Sequence, residues 1–158
     1  MKKYFAFMLT LLLAFFVFAG CGGSEGSDAQ PDGSTATGTV ELNGVTLTVN
    51  GGEFINDEDR GETFLCLHMN YANNSEELGG LTSTFNIAVD QGEGPIEARQ
   101  EGDYDTEEEA NAWSGIDAGN SADCDLYYPV DGSKPVKVQI IDPDDAGKVL
   151  AEFEYTPE

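Results

Sequence analysis

The stretch TVELNGVTLTV, residues 39–49, sets an Asn-Gly pair between two runs in which apolar and polar residues alternate. Both central residues of a type I′ turn need positive φ, which Asn43 and Gly44 tolerate better than other pairs. The alternation has the period of a strand with one buried face. The stretch therefore predicts a β-hairpin with strands over 39–42 and 45–49.

Alternation of period two continues through the rest of the chain, and turn-forming residues separate its segments. The predicted further strands cover residues 53–56, 62–71, 84–89, 96–99, 122–130, 136–142 and 149–155. Regularly spaced short strands of this kind are typical of two packed antiparallel sheets. We therefore expect an all-β protein, an antiparallel β-sandwich over residues 38–158.

One excursion breaks the strand pattern between Gly102 and Gly119. Thr106 is followed three residues later by Glu109, which is typical of a helix start, and acidic residues suit the first turn of a helix. We expect a short helix over residues 107–113, inside one loop of the sandwich.

The N-terminus has the order of a bacterial lipoprotein signal peptide. Lys2 and Lys3 precede an apolar run over residues 4–18, which is too short to span a bilayer, and Ala19-Gly20-Cys21 follows. We expect a signal peptide over 1–20, lipidation of Cys21, and a flexible tether over 21–37 that is rich in Gly, Ser and Asp. The alternative is an ordinary secretory signal with a chance cysteine. Lipidation predicts attachment to the cell membrane, facing outside the cytoplasm.

The chain is strongly acidic, with a formal net charge of -23. Loss of Lys2 and Lys3 with the signal peptide would take this to -25. Affinity for nucleic acids comes mainly from Lys and Arg neutralising phosphates, so this composition excludes nucleic acid as a partner class. The negative charge is explained by a need for solubility outside the cell, and a cation-dependent role is the alternative.

Cys66 and Cys124 remain as an even pair once Cys21 is assigned to lipidation. An oxidising compartment favours a disulfide between them. The strand phase opposes it, because Leu65 and Leu67 are expected to point inward, which turns Cys66 outward, whereas Cys124 shares a phase with Leu126. A disulfide tolerates little misdirection of the two Cβ atoms. The sequence therefore leaves two alternatives for Cys66 and Cys124: a disulfide, or two structural free thiols.

His68 is the only histidine of the chain, and its phase predicts an exposed strand residue. Nucleophilic catalysis would need it as the base for Cys66. Residues two apart on a strand are ~6.5 Å apart, so we do not expect a direct hydrogen bond between them. Zinc is not expected either, because Cys66, His68 and Cys124 are the only candidate ligands and have no recognisable spacing.

The Asp-rich loops are candidate sites for a hard cation such as Ca²⁺, which takes oxygen ligands. Asp103, Asp105 and Glu107 have the spacing at which a calcium-binding loop begins, although the later glycine and glutamate of an EF-hand are missing. Trp113 follows the acidic turn and is a candidate binding residue, with packing in the loop as the alternative. No catalytic residue and no obligatory cofactor are predicted.

Several segments together carry a resemblance to a known family. These are ETFLCLHMNYANNS (62–75), FNIAV (85–89), GIDAGNS (115–121), LYYPV (126–130) and the strand over 135–143. They resemble bacterial surface lipoproteins with a single immunoglobulin-like domain of unassigned function, similar in fold to secreted immunoglobulin-like antigens of mycobacteria. The resemblance implies an immunoglobulin-like sandwich and favours a bacterium with one membrane. It brings no catalytic residues.

The sequence as a whole predicts a non-enzymatic, lipid-anchored module outside the cytoplasm. Its partners would be the membrane, through Cys21, and an extracellular or envelope protein. A calcium-binding or cation-stabilised adhesion domain that uses Asp103, Asp105 and Glu107 is the alternative.

Overall fold

Residues 36–100 and 106–158 are described by a computed structural model of the chain. They form two four-stranded antiparallel sheets and two short helices, and thus confirm the predicted all-β sandwich. The first sheet contains β1 (Gly38–Leu42), β2 (Val45–Asp57), β3 (Glu62–Asn73) and β6 (Ser121–Val130), in the order β1-β2-β3-β6. The second contains β4 (Asn86–Asp90), β5 (Pro95–Ile96), β7 (Val136–Asp142) and β8 (Asp145–Tyr155), in the order β5-β4-β7-β8. The helices are α1 (Leu81–Thr84) and α2 (Glu107–Trp113).

The first hairpin has the turn that the Asn-Gly pair predicts. Asn43 and Gly44 have φ values of 51° and 80°, and Leu42 pairs with Val45 across the turn. This register keeps Leu47 on the core side of β2, where it is fully buried.

The predicted strands 45–49 and 53–56 are in fact one strand. The sequence marks a break at Gly51-Gly52, but β2 passes through it with a bulge, and Gly51 takes a φ of 145° there. A Cβ on Gly52 would lie 2.9 Å from the Tyr155 ring. The glycine pair therefore bends the strand and makes room for an aromatic ring of the facing sheet, and does not end the strand.

The core lies between the two sheets. On β3 the buried inner face is formed by the residues that the alternation predicts: Leu65, Leu67, Met69 and Tyr71. The second sheet contributes Val89, Val136, Val138, Ile140, Phe153 and Tyr155. The hydroxyl of Tyr155 also donates to the carbonyl oxygen of Ala36 at 3.0 Å, which fastens the start of the described chain to β8.

Asn73 ends β3 and is fully buried. Its amide nitrogen donates to the carbonyl oxygens of Glu77 and Ile116, both at 2.8 Å, and its side-chain oxygen accepts from the hydroxyl of Ser75 at 2.6 Å. Asn73 thus joins two loops to the end of β3, and the polar residues after the strand stabilise the fold.

The predicted helix over 107–113 is confirmed as α2. The Thr106 hydroxyl oxygen accepts a hydrogen bond from the backbone N–H of Glu109 at 3.1 Å, as expected of an N-cap. The strand predicted over 96–99 is shorter, since β5 ends at Ile96. Beyond it, Arg99 donates its backbone N–H to the carbonyl oxygen of Tyr127 at 2.7 Å, and so lies against the edge of β6.

Candidate functional site

The outer face of the first sheet, which points away from the core, carries a polar group of side chains at its centre. His68 pairs with Asp125 across β3 and β6, and Cys66 pairs with Tyr127. Successive side chains of a strand alternate between faces, so these four residues share the outer face while Leu67 and Leu126 between them face the core. We call Cys66, His68 and Asp125 the outer-face cluster.

The three members of the outer-face cluster are in contact. The Nδ1 atom of His68 lies 2.9 Å from Oδ1 of Asp125 and 3.9 Å from Sγ of Cys66. Cys66 is fully buried, whereas the side chains of His68 and Asp125 are 41% and 14% exposed. One side of the cluster therefore lies in the protein and the other reaches the surface.

The expectation that Cys66 and His68 are too far apart is wrong. Residues two apart on a strand have backbones ~6.5 Å apart, but here the two side chains lean towards each other. The expectation that His68 is an exposed strand residue is also incomplete, because Asp125 on a neighbouring strand forms a hydrogen bond with one of its ring nitrogens.

A carboxylate also faces the other ring nitrogen of His68. Oε1 of Glu53 on β2 lies 3.5 Å from Nε2. The hydrogen bond to Asp125, followed by the contact with Cys66, raises the pKa of His68 to about 11 against the opposing effect of burial. In the chain by itself the ring is therefore protonated at neutral pH.

An ion pair lies beside the outer-face cluster. The guanidinium group of Arg99 binds both carboxylate oxygens of Glu109 on α2, each at 2.7 Å. The same group lies over the rings of Phe64 and Tyr127, at 5.6 and 4.8 Å from their centres. Arg99 thus joins α2 to the outer face and covers apolar surface next to Cys66.

Cys124 lies on the opposite face of the sheet from Cys66, and both cysteines are free and fully buried. Cys124 pairs with Met69, three positions along from the pair that contains Cys66. The disulfide that the cysteine count favours is therefore not formed, because an odd offset turns the two Cβ atoms to opposite faces. Burial raises the pKa of the Cys124 thiol to about 12.

A second feature is a cavity of about 460 Å³ near the edge of the sandwich where β5 and β6 lie. Its apolar wall contains Phe85, Ile87, Ile96, Leu126, Tyr128 and the candidate binding residue Trp113. Trp113 packs against the core from the end of α2. Within residues 36–100 and 106–158, its buried indole N–H has no hydrogen-bond acceptor.

Two of the calcium candidates, Asp103 and Asp105, lie outside the described residues, and so does Cys21. Glu107 is the exposed first residue of α2. The other acidic loops use carboxylates to stabilise turns. Asp57 accepts backbone hydrogen bonds from Asp59 and Arg60, and Asp142 binds the ammonium group of Lys148 at 2.9 Å.

The signal peptide predicted over 1–20 and nearly all of the tether over 21–37 precede residue 36, where the described chain starts. Among residues 36–100 and 106–158, neither helix has the length and apolar character needed to cross a membrane.

Comparison with solved structures defines the class of fold. The chain is similar to a candidate lipoprotein from Staphylococcus aureus subsp. aureus NCTC 8325, with a TM-score of 0.59 and 12% identity over 75% of this chain and 87% of that one. A candidate lipoprotein from Bacillus subtilis subsp. subtilis str. 168 is also similar, with a TM-score of 0.46 and 12% identity over 77% of this chain and 38% of that one. The first likeness shows a shared fold. No family model and no curated protein matches the chain.

Proposed function

We propose that this protein is a non-enzymatic, lipid-anchored binding module displayed outside the cytoplasm. We further propose that its cavity takes one apolar side chain of a basic peptide segment from an envelope or extracellular protein. The observation that carries the proposal is the cavity of about 460 Å³ near the β5 and β6 edge. Its volume is in the range of ligand sites, and its wall combines apolar side chains with several polar groups.

Polar groups at the cavity would orient a bound segment. The indole N–H of Trp113 is a buried donor without an acceptor among the described residues, so a small shift of the ring at the cavity would let a carbonyl oxygen of a bound segment satisfy it. Burial raises the pKa of Tyr128 well above its usual range, and the hydroxyl therefore stays neutral and can donate or accept.

Charge favours a basic segment over an acidic one. Glu97 lies in the cavity lining, and the whole chain has a formal charge of -23. A surface of this sign attracts cationic partners and repels anionic ones during encounter.

The outer-face cluster supports a non-enzymatic role. In catalysis by Cys and His, the base takes the thiol proton with one ring nitrogen while the other nitrogen is held by an orienting group. Here Cys66 and Asp125 both lie against the same nitrogen, Nδ1. Cys66 is also fully buried, so an organic substrate cannot lie against its sulfur, and only the His68 and Asp125 side of the cluster reaches the surface.

Attachment through Cys21 is supported by the order of residues 1–21 and by a shared fold with a candidate lipoprotein. Cells expressing the chain are to be labelled with a palmitate analogue and fractionated. We expect label on the wild-type protein in the membrane fraction, and neither label nor membrane retention for Cys21→Ala. A labelled or membrane-bound Cys21→Ala variant would contradict lipidation at this residue.

Trp113 is the only tryptophan, so its fluorescence reports directly on the cavity. The full chain is to be titrated with a short peptide that has one leucine among lysines, and with a matched peptide in which glutamates replace the lysines. We expect the basic peptide to shift the Trp113 emission and the acidic peptide to leave it unchanged.

The matched variants are Glu97→Gln, which lies in the cavity lining, and Glu93→Gln, which lies on the turn before β5 and pairs with Lys134. Glu97→Gln is expected to weaken binding of the basic peptide, and Glu93→Gln to leave it unchanged. Equal binding of both peptides, or an equal loss in both variants, overturns the cavity as the binding site.

A further inference from the structure

We propose that Cys66, His68 and Asp125 form a three-ligand site for a divalent transition-metal ion of the zinc class. One donor atom from each residue, a sulfur, an imidazole nitrogen and a carboxylate oxygen, lies within 4.8 Å of the other two. They come from two neighbouring strands and share one face of the first sheet.

The distances between the donor atoms are close to those between the ligand atoms of a bound zinc ion. Zinc binds sulfur at ~2.3 Å and nitrogen or oxygen at ~2.0–2.2 Å, so its tetrahedral ligands lie ~3.3–3.8 Å apart. The distances from Nδ1 of His68 are 3.9 Å to Sγ of Cys66 and 2.9 Å to Oδ1 of Asp125. Shifts of less than ~1 Å bring these two distances into the range for coordination.

The kinds of donor select the metal. A thiolate and an imidazole suit zinc and similar transition metals, whereas Ca²⁺ and Mg²⁺ prefer sets of oxygen atoms. This separates the outer-face cluster from the Asp-rich loops, which offer only oxygen. Three protein ligands leave a fourth position for water or for a group of a bound partner.

Glu53 on β2 places a carboxylate next to the other ring nitrogen of His68. Metal-binding histidines commonly donate the N–H of their other ring nitrogen to a carboxylate, which fixes the ring and its tautomer. Oε1 of Glu53 lies 3.5 Å from Nε2 of His68. The Glu53 carboxylate lies within ion-pair distance of Nε2, and Nδ1 faces Cys66 and Asp125. A metal ion that binds Nδ1 displaces the proton that His68 shares with Asp125.

The strands that carry the cluster are paired in register at its residues. Glu53 on β2 pairs with Cys66 on β3, and His68 pairs with Asp125 on β6. Ligands held by neighbouring strands are more precisely placed than ligands on loops. Because the cavity is lined by Leu126 and Tyr128 on the inner phase of β6, the metal site and the peptide site can be tested separately.

Cobalt is a spectroscopic substitute for zinc. The full chain, purified in detergent, treated with EDTA and kept reduced, is to be titrated with Co²⁺ in the presence of excess Mg²⁺. We expect the absorption of a cobalt–thiolate bond to saturate at one equivalent and to disappear on addition of Zn²⁺. Cys66→Ser should abolish this absorption, and Cys124→Ser, whose side chain lies on the other face, should retain it.

A second pair of variants decides the question if Cys66→Ser fails to fold. Asp125→Asn is expected to weaken zinc binding by at least tenfold, whereas Asp123→Asn, an exposed neighbour that accepts a hydrogen bond from Asn70, should leave it unchanged. Glu53→Gln should weaken it about 10–100-fold. Cobalt–thiolate absorption that persists in Cys66→Ser, or equal losses in the two aspartate variants, overturns the site.

Discussion

The first sheet carries one buried cysteine on each of its two faces. The two thiols are equally buried, but the groups around them differ. Cys124 on the inner face lies in the apolar core, and its Sγ contacts the carbonyl oxygen of Ala122 at 3.8 Å. Cys66 on the outer face lies against the ring of His68. Both have an exposed fraction of 0%. The difference shows that the groups around a thiol, and not its burial alone, decide whether it is structural or able to take part in binding.

The largest expected effect is the loss of an inner-face side chain. Leu67 is 1% exposed, and Leu67→Ala is expected to lower the free energy of unfolding by about 2–5 kcal/mol, because it leaves a cavity in the core. Asn70→Ala, on the outer face of the same strand, removes one exposed hydrogen bond to Asp123 and should cost about 0.5–1.5 kcal/mol. Urea unfolding measures both. Similar losses in the two variants would contradict the division into faces.

The ion pair beside the outer-face cluster ranks second. Arg99→Met removes the ion pair with Glu109, whose side chain is 4% exposed, and we expect the free energy of unfolding to fall by roughly 3 kcal/mol. The double variant Arg99→Met, Glu109→Leu should recover most of this loss, because the buried Glu109 carboxylate is removed as well. A double variant as unstable as Arg99→Met would contradict the loss of the Glu109 ion pair as the cause of the instability. Urea unfolding at constant ionic strength measures the three proteins.

The two cysteines give the most direct comparison. Cys124→Ser places a hydroxyl among apolar side chains and should cost about 1–3 kcal/mol. Cys66→Ser should cost less, because the new hydroxyl can bond to His68. Thermal melting with EDTA present measures both without any contribution from bound metal. A larger loss of stability for Cys66→Ser than for Cys124→Ser would contradict the assignment of Cys124 to the apolar face and Cys66 to the polar face.

The smallest effect is a dependence on alkaline pH. Burial raises the pKa of Tyr155 from 10.0 to about 12. The unfolded chain therefore loses this proton first, and the contribution of Tyr155 is complete below pH 10 and is lost as the pH rises to about 12. Tyr155→Phe should show a shallower fall of the free energy of unfolding between pH 10 and 12 than the wild type. Parallel curves for the two proteins would contradict the raised pKa.

Much of the fold follows from local patterns in the sequence. The Asn43-Gly44 turn, the inner face of β3 and the Thr106 cap each depend on residues that are close in the chain, and all three are present in the structure. The sequence does not predict the continuity of β2 through Gly51, because a glycine pair indicates a turn unless the facing Tyr155 ring is known.

The candidate site could be predicted only in part. Strand phase places Cys66 and His68 on one face, but the direction in which their side chains lean is not a property of the pattern. Asp125 lies 57 residues beyond His68 in the chain, and only the register of β6 against β3 brings the two together. The sequence offers a weak signal: Asp123, Asp125 and Tyr127 alternate with the apolar residues of β6.

The strand order has a consequence for attachment. β1, where the chain enters the first sheet, and β6, where the cavity lies, are at opposite edges of that sheet. They are separated by three strand spacings, or about 14 Å. If the chain before Gly38 is fixed to a bilayer through Cys21, the pull acts at one edge, and the opposite edge with Trp113 stays accessible to a partner that approaches from the far side.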